Sequence, residues 1–200
     1  TMTTVFQRVG PYEIVREIGR GGMAAVFLAE DTRQARQVAL KLVPIGPDRE
    51  AREILEAERW GARLQSRLAD ECGLVPRVYE EGDESPYYFI AMEYVQGENL
   101  SDLIARGPAS PAEAVRIASA LCRFLDNAHR FRASIDGREL LSLVHGDLKP
   151  RNVRLSDTGE IKVLDFGIAK ALSLSRKVTR NDFGSIAYLP GLGVSNLPFS

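Results

Sequence analysis

The sequence predicts an α+β fold in which a small antiparallel sheet carrying one helix precedes a helical half. Three observations predict it. Strand-like runs separated by turn residues fill the stretch from Tyr12 to Val95, with a single amphipathic helical stretch among them. Beyond Gln96 the spacing of apolar residues becomes helical, and near the C-terminal end two short apolar runs flank a turn at 157–160. At 200 residues the chain can bury one sizeable core, or two smaller halves that share a cleft. A formal net charge of -1 argues against a general binder of nucleic acid or anionic membranes. No apolar run reaches the ~18 residues that a membrane span needs. Cys72 and Cys122 fit no metal spacing and read as buried free thiols of a reducing compartment. Residues 1–10 lack a hydrophobic h-region and read as an untargeted leader, so a cytoplasmic protein is expected.

Taken in order, Tyr12 to Ile18 alternates as a strand, Gly19-Arg20-Gly21-Gly22 interrupts it, and Ala25 to Ala29 forms a second. Alone, the glycine cluster is either a hairpin turn or a flap whose amides can approach phosphates. The third run, Gln37 to Val43, holds Lys41 inside an apolar strand, where an ammonium is costly unless paired. From Asp48 to about Leu68, Ile54, Leu55, Ala57, Trp60, Leu64 and Leu68 recur at helical spacing. The stretch from Gln65 to Val75 is long for a tight connection, so the helix is expected to extend by a turn or two. Val78–Glu81 and Tyr87–Val95 read as strands around a polar turn at 82–86. A short helix over 99–104 ends near Gly107-Pro108. Ser110-Pro111-Ala112-Glu113 is a helix start, with serine cap, proline at the first position and glutamate at the third. Ala114, Ile117, Ala118, Leu121, Leu125 and Ala128 are then expected to form its buried stripe, and His129 to be structural. Residues 134–138 read as the tip of a loop without chemistry. Val153–Leu155 and Ile161–Leu164 are two short strands.

The chemistry concentrates in Val144-His145-Gly146-Asp147-Leu148-Lys149-Pro150-Arg151-Asn152 and in Asp165-Phe166-Gly167. The first stretch offers a carboxylate (Asp147), an ammonium (Lys149) and a side-chain amide (Asn152); the second adds a carboxylate beside a glycine. Phosphoryl transfer requires these parts: a carboxylate to receive a hydroxyl proton, a cation near the migrating phosphoryl, and oxygen ligands for magnesium.

In order and spacing, the glycine flap, Val38-Ala39-Leu40-Lys41, the 144–152 stretch and Asp165-Phe166-Gly167 resemble the motifs of eukaryotic-type serine/threonine protein kinases of bacterial kind. The resemblance runs from about Tyr12 to Leu189. It implies a protein-kinase-like two-lobe fold, with a leader over 1–10, an N-lobe over 11–96, a partial C-lobe over 97–189 and an atypical tail over 190–200. It also implies ATP and Mg2+ as cofactors and protein serine/threonine hydroxyls as acceptors, since lysine two residues after the aspartate is the serine/threonine pattern. Asp147 would orient and deprotonate the acceptor, Lys149 would neutralise the γ-phosphate, and Asn152 and Asp165 would hold the metal. Lys41 would grip the α- and β-phosphates. Its partner would be Glu58, which has Ile54 and Leu55 before it, with Glu53 as the alternative. Gly19, Gly21 and Gly22 would form the flap, although Ala24 stands where the family has a third glycine. Ile18, Val26 and Ala39 would be further nucleotide contacts. Met92 would back the adenine pocket, and the backbones of Glu93 and Val95 would bond the adenine edge.

Two departures from the family carry expectations. Gly146 replaces the arginine that normally clamps a phosphorylated activation loop, so activity is expected not to depend on loop phosphorylation at Ser173, Ser175, Thr179 or Ser185. Residues 184–189 resemble the approach to Ala-Pro-Glu, but neither that glutamate nor further helices follow. A truncated chain is therefore expected, with exposed apolar surface that lowers stability or is covered by a partner. Two other readings stay open. One is a nucleotide-binding scaffold remnant that transfers no phosphate. The other is a small-molecule kinase of the aminoglycoside or choline type, which shares His-Gly-Asp but lacks the Lys-Pro and the Asp-Phe-Gly with its following segment.

Overall fold

A computed structural model of the chain describes residues 8–21 and 24–166 and the strand backbone of 170–173. Gly22, Gly167, Ser175, Thr179 and Ser185, residues 1–7 of the expected leader and the tail over 190–200 lie outside the described residues.

Six strands make an antiparallel sheet: β1 (Arg8–Val9), β2 (Tyr12–Gly21), β3 (Ala24–Asp31), β4 (Arg36–Pro44), β5 (Val78–Glu84) and β6 (Tyr87–Glu93), in the order β1-β2-β3-β4-β6-β5. From Val38 to Val43, β4 is covered on both sides, which is why that stretch is an unbroken apolar run apart from Lys41. Val38, Leu40 and Leu42 pack with Tyr12, Ala29, Phe89 and Ala91 in one cluster. Val43 packs with Ala24, Tyr88 and Ile90 in another. The turn expected at 82–86 is shorter than predicted. β5 continues to Glu84 because Gly82 and Asp83 pair with Phe89 and Tyr88, and the Tyr88 hydroxyl donates to Glu81 at 2.7 Å.

Helix α1 (Arg49–Glu71) lies between β4 and β5 in sequence. The Asp48 carboxylate accepts from the Ala51 amide at 2.8 Å, and the Cys72 amide closes the far end on the Leu68 carbonyl. Its length carries it across two cores. Ile54, Leu55 and Ala62 pack on the sheet, whereas Leu64 and Leu68 pack with Phe124, Phe131, Leu143 and Phe166.

The remaining elements are β7 (Gly97–Asn99), α2 (Leu100–Ala105), α3 (Pro111–Arg130), β8 (Ala133–Ile135), β9 (Arg138–Val144), β10 (Val153–Ser156), β11 (Ile161–Val163) and β12 (Lys170–Ser173). The Ser110 hydroxyl caps α3 by accepting from the Glu113 amide at 3.2 Å. The buried stripe of α3 is Ile117, Ala120, Phe124 and Ala128. Ala114, Ala118 and Leu125, expected inside, are exposed. Phe124 offers far more apolar area than an alanine, and it fixes which face docks. The expected loop at 134–138 is instead a hairpin. Asp136 and Gly137 have φ of 50° and 73°, as its two-residue turn requires, and β9 then pairs with β12 in the order β12-β9-β8. A third sheet, β11-β10-β7, brings the chain after β6 against the strand after Asn152. Gly97 makes this possible: at φ 142° its own Cα faces the Leu155 carbonyl so closely that a Cβ would lie 2.0 Å from that oxygen.

Candidate active site

Cross-strand register assembles one face of the sheet. Val26 lies opposite Lys41, and Gly19 lies opposite Val26. Ala39 lies opposite Leu28 and Met92, so Val26, Ala39, Lys41 and Met92 share that face. Ile18 sits at the irregularity of β2 between Glu17 and Gly19, and Gly21 lies opposite Ala24 near the tip of the β2–β3 pair. The Lys41 ammonium, 8% exposed as a residue, reaches two carboxylates from distant segments: Glu58 Oε2 at 2.7 Å and Asp165 Oδ1 at 3.1 Å. Burial by itself would lower this lysine's pKa. The charges of Asp165 and Glu58 and their hydrogen bonds outweigh it, and the group sits above the ordinary lysine value. Glu53, the alternative partner, pairs with Arg49 at 2.7 Å on the solvated side of α1.

Below that face, the loop between β9 and β10 gathers Asp147, Lys149 and Asn152. Lys149 Nζ donates to Asp147 Oδ2 at 2.6 Å. Asn152 Nδ2 donates to the Asp147 carbonyl at 2.8 Å and to Oδ2 at 3.0 Å, which leaves the carboxamide's oxygen as its acceptor end. The Leu164 amide donates to the Asn152 carbonyl at 2.7 Å, so the loop and the residue preceding Asp165 are tied together. Asp165 has φ of 62°, a left-handed conformation that aspartate tolerates better than most residues. It turns the chain so that Phe166, 2% exposed, enters the core beside His145 and Phe124.

Sequence reasoning gave His145 no role, and here it is the loop's anchor. Nδ1 accepts from the Asp147 amide at 3.2 Å, which makes Nε2 the protonated nitrogen, donating to the Leu164 carbonyl at 2.9 Å. Desolvation pushes its pKa below the usual imidazole value, so the ring is neutral near pH 7. Two further cations escaped sequence reasoning. Lys162, buried at 7% exposure, pairs with Glu93 at 3.2 Å. Arg154 bonds the backbone between β6 and α2. At the chain after β6, the Glu93 amide donates to the Arg77 carbonyl at 2.8 Å, and the Val95 carbonyl accepts from Arg154 Nε at 2.7 Å. Among the described residues no group of three or more His, Cys, Asp or Glu side chains could hold a metal ion. A cation here would rest on Asp165, the Asn152 oxygen and the oxygens of a bound phosphate, a donor set that suits magnesium.

A profile of the protein kinase domain matches residues 12–191. The chain belongs to the protein kinase domain family. It is 38% identical over 182 residues to the serine/threonine-protein kinase PrkC of Bacillus subtilis, covering 90% of this chain and 26% of that protein. It is 36% identical over 186 residues to the probable serine/threonine-protein kinase pknA2 of Bifidobacterium longum, covering 90% of this chain and 23% of the relative. Against the serine/threonine-protein kinase PknB of Mycobacterium leprae the identity is 33% over 195 residues, 94% of this chain and 29% of the relative. The chain thus spans about a quarter of the length of these curated relatives. A protein kinase domain implies use of ATP, typically with a divalent metal. Among the described residues, no helix is long and apolar enough to cross a membrane.

Proposed function

We propose that this kinase domain transfers the γ-phosphoryl group of ATP, with Mg2+, to serine or threonine hydroxyls of proteins. One observation carries the reading. Lys41 on β4, Glu58 on α1 and Asp165 beyond β11 meet through contacts of 2.7 and 3.1 Å, and the Asn152 carbonyl binds the residue beside Asp165. A cation and a carboxylate brought together from positions 124 residues apart, at a buried cost, suit a site built for phosphates better than a structural ion pair.

In this reading Asp147 accepts the proton of the acceptor hydroxyl. Asn152 fixes its carboxylate by donating to Oδ2, and neutral His145 holds its amide, so the base is oriented before the acceptor arrives. Lys149, 2.6 Å from that carboxylate, is placed to move its charge to the migrating phosphoryl. Lys41, kept protonated by Asp165 and Glu58, takes the α- and β-phosphates. Mg2+, held by Asp165 and Asn152, would supply neutralisation of the phosphate oxygens. Gly19 and Gly21 form the flap over them, to which Gly22 is assigned by its sequence position alone, Ile18, Val26, Ala39 and Met92 enclose the base, and the Glu93 carbonyl and Val95 amide take its edge. A cytoplasmic site of action belongs to the same reading, supported by Cys72 and Cys122 both being free thiols, although Cys72 is half-buried and Cys122 exposed rather than buried as expected. Labelled-phosphate transfer from ATP to casein or myelin basic protein tests it. The parent chain should transfer, Lys41→Met should not, and Asp147→Asn should be slower by about 10²- to 10⁴-fold. Transfer that survives both substitutions would refute the assignment.

A further inference from the structure

Glu58 meets Lys41 from the middle of α1, so the contact depends on how that helix is rolled about its axis. Two arginines one turn apart, Arg59 and Arg63, tie α1 to its surroundings. Arg59 Nη2 pairs with Asp83 Oδ1 of β5 at 2.5 Å, and its guanidinium lies 4.7 Å from the centre of the Tyr88 ring. The Tyr88 hydroxyl donates to one Glu81 oxygen, and the other lies 3.8 Å from Arg63 Nε. Arg63 Nη1 then reaches Asp136 Oδ2 at 2.5 Å. Asp136 is the first turn residue of the β8–β9 hairpin, so Arg63 links β5, α1 and the hairpin.

The hairpin also touches α1 with apolar side chains. Ile135, Leu140 and Leu143 share one cluster with Leu64 and Leu68. Such contact holds the helix close but is non-directional, and it leaves the roll loosely defined. Charge-assisted hydrogen bonds are directional. A roll that carries Glu58 off Lys41 must also break the pairs of Arg59 and Arg63. An isolated exposed pair contributes little, whereas pairs that form a network count for more.

We propose that Arg63 and Asp136 are positioning residues: through them the β8–β9 hairpin sets the roll of α1 and keeps Glu58 on Lys41. The inference deepens the phosphoryl-transfer reading above by naming what holds its phosphate grip in shape. Four variants test it. Arg63→Gln removes the link, and Arg63→Lys keeps its charge. Asp136→Asn removes the partner's charge with a residue that tolerates the φ of 50° there. Arg67→Gln is the control, an exposed arginine of α1 that makes no ion pair among the described residues.

Transfer to casein is measured with ATP varied, well below each Tm. Arg63→Gln should lower kcat/KM for ATP by about fivefold and Asp136→Asn by about threefold, the scale of one exposed pair. Arg63→Lys should recover most of the loss, and Arg67→Gln should match the parent. A lowered Tm with unchanged kcat/KM, the mark of a merely structural role, overturns the proposal. A second measurement needs no nucleotide. The drop in urea midpoint caused by Arg63→Gln should shrink by half or more in a Glu58→Gln background, because the roll matters less once that pair is gone. Sites without shared partners otherwise add, so an equal drop in both backgrounds overturns the proposal even in a chain that transfers nothing. If Arg63→Gln does not fold, Asp136→Asn takes its place in both measurements. A parent chain without transfer but with the coupling intact counts against the phosphoryl-transfer reading and upholds the hairpin's role.

Discussion

Replacing Lys41 with methionine should destabilise the domain as well as silence it. The ammonium and the Glu58 carboxylate are 2.7 Å apart, with side chains only 11% and 13% exposed. At an effective dielectric constant of about 20, charges at that distance attract by about 6 kcal/mol. Desolvating both ions offsets most of this, so the intact pair contributes little net stability. Removing one member is different, because Glu58 then stays buried without its cation. Breaking such a pair costs about 3–5 kcal/mol. The lower end applies here, because Asp165, the other carboxylate on Lys41, is 49% exposed and regains water readily. For a domain of this size about 3 kcal/mol lowers Tm by about 6–12 °C. Thermal unfolding of the parent, Lys41→Met, Glu58→Leu and the double variant measures it. The double variant should recover most of the loss, since no buried charge is left behind. A Lys41→Met Tm within about 2 °C of the parent, or a double variant no better than Lys41→Met, would refute the reasoning.

Three further outcomes are expected. His145 is neutral and its folded pKa is depressed, so the unfolded chain binds more protons once pH falls below the unfolded value of about 6.5. Stability should therefore be full above that pH and fall as pH drops toward the folded pKa; Tm measured from pH 7.5 to 5.5 should show a decline that His145→Asn reduces. Gly97→Ala should lower stability by about 3 kcal/mol, since its Cβ would meet the Leu155 carbonyl oxygen in backbone that cannot yield cheaply; an unchanged urea midpoint would contradict the close approach. With Gly146 in place of an arginine, a chain carrying alanine at 173, 175, 179 and 185 should keep most of its phosphate transfer, and near-total loss in the labelled-phosphate assay would contradict this.

Much of the site was legible because its residues break local rules. A lysine inside Val38-Ala39-Leu40-Lys41 conflicts with its own strand, and a carboxylate, ammonium and amide within six residues announce chemistry. The α3 start was legible for a similar reason: Ser110 accepts from the Glu113 amide, Pro111 has no N–H to leave unpaired, and Glu113 puts an acid in the first turn. What escaped depends on partners distant in sequence. Arg154 reads as an ordinary solvated strand residue until β7 pairs with β10 and lays three acceptors before it. Lys162 between Ile161 and Val163 finds Glu93 69 residues away. The β8–β9 hairpin looked like a loop because β8 spans only three residues and β9 gains support from β12, after the site. The stripe of α3 was misjudged because alanines tolerate either face, and only the docking of Phe124 decides between them.

Helix α1 has a mechanical consequence. Glu58 sits about 10 Å along the axis from Gln65, at 1.5 Å per residue, between sheet contacts at one end and the seam of Leu64 and Leu68 at the other. A rod gripped at both ends cannot roll at one without the other. Any packing change at Phe131, Leu143 or Phe166 is therefore carried to the Lys41–Glu58 ion pair, which becomes a gauge of how well the distant seam is closed.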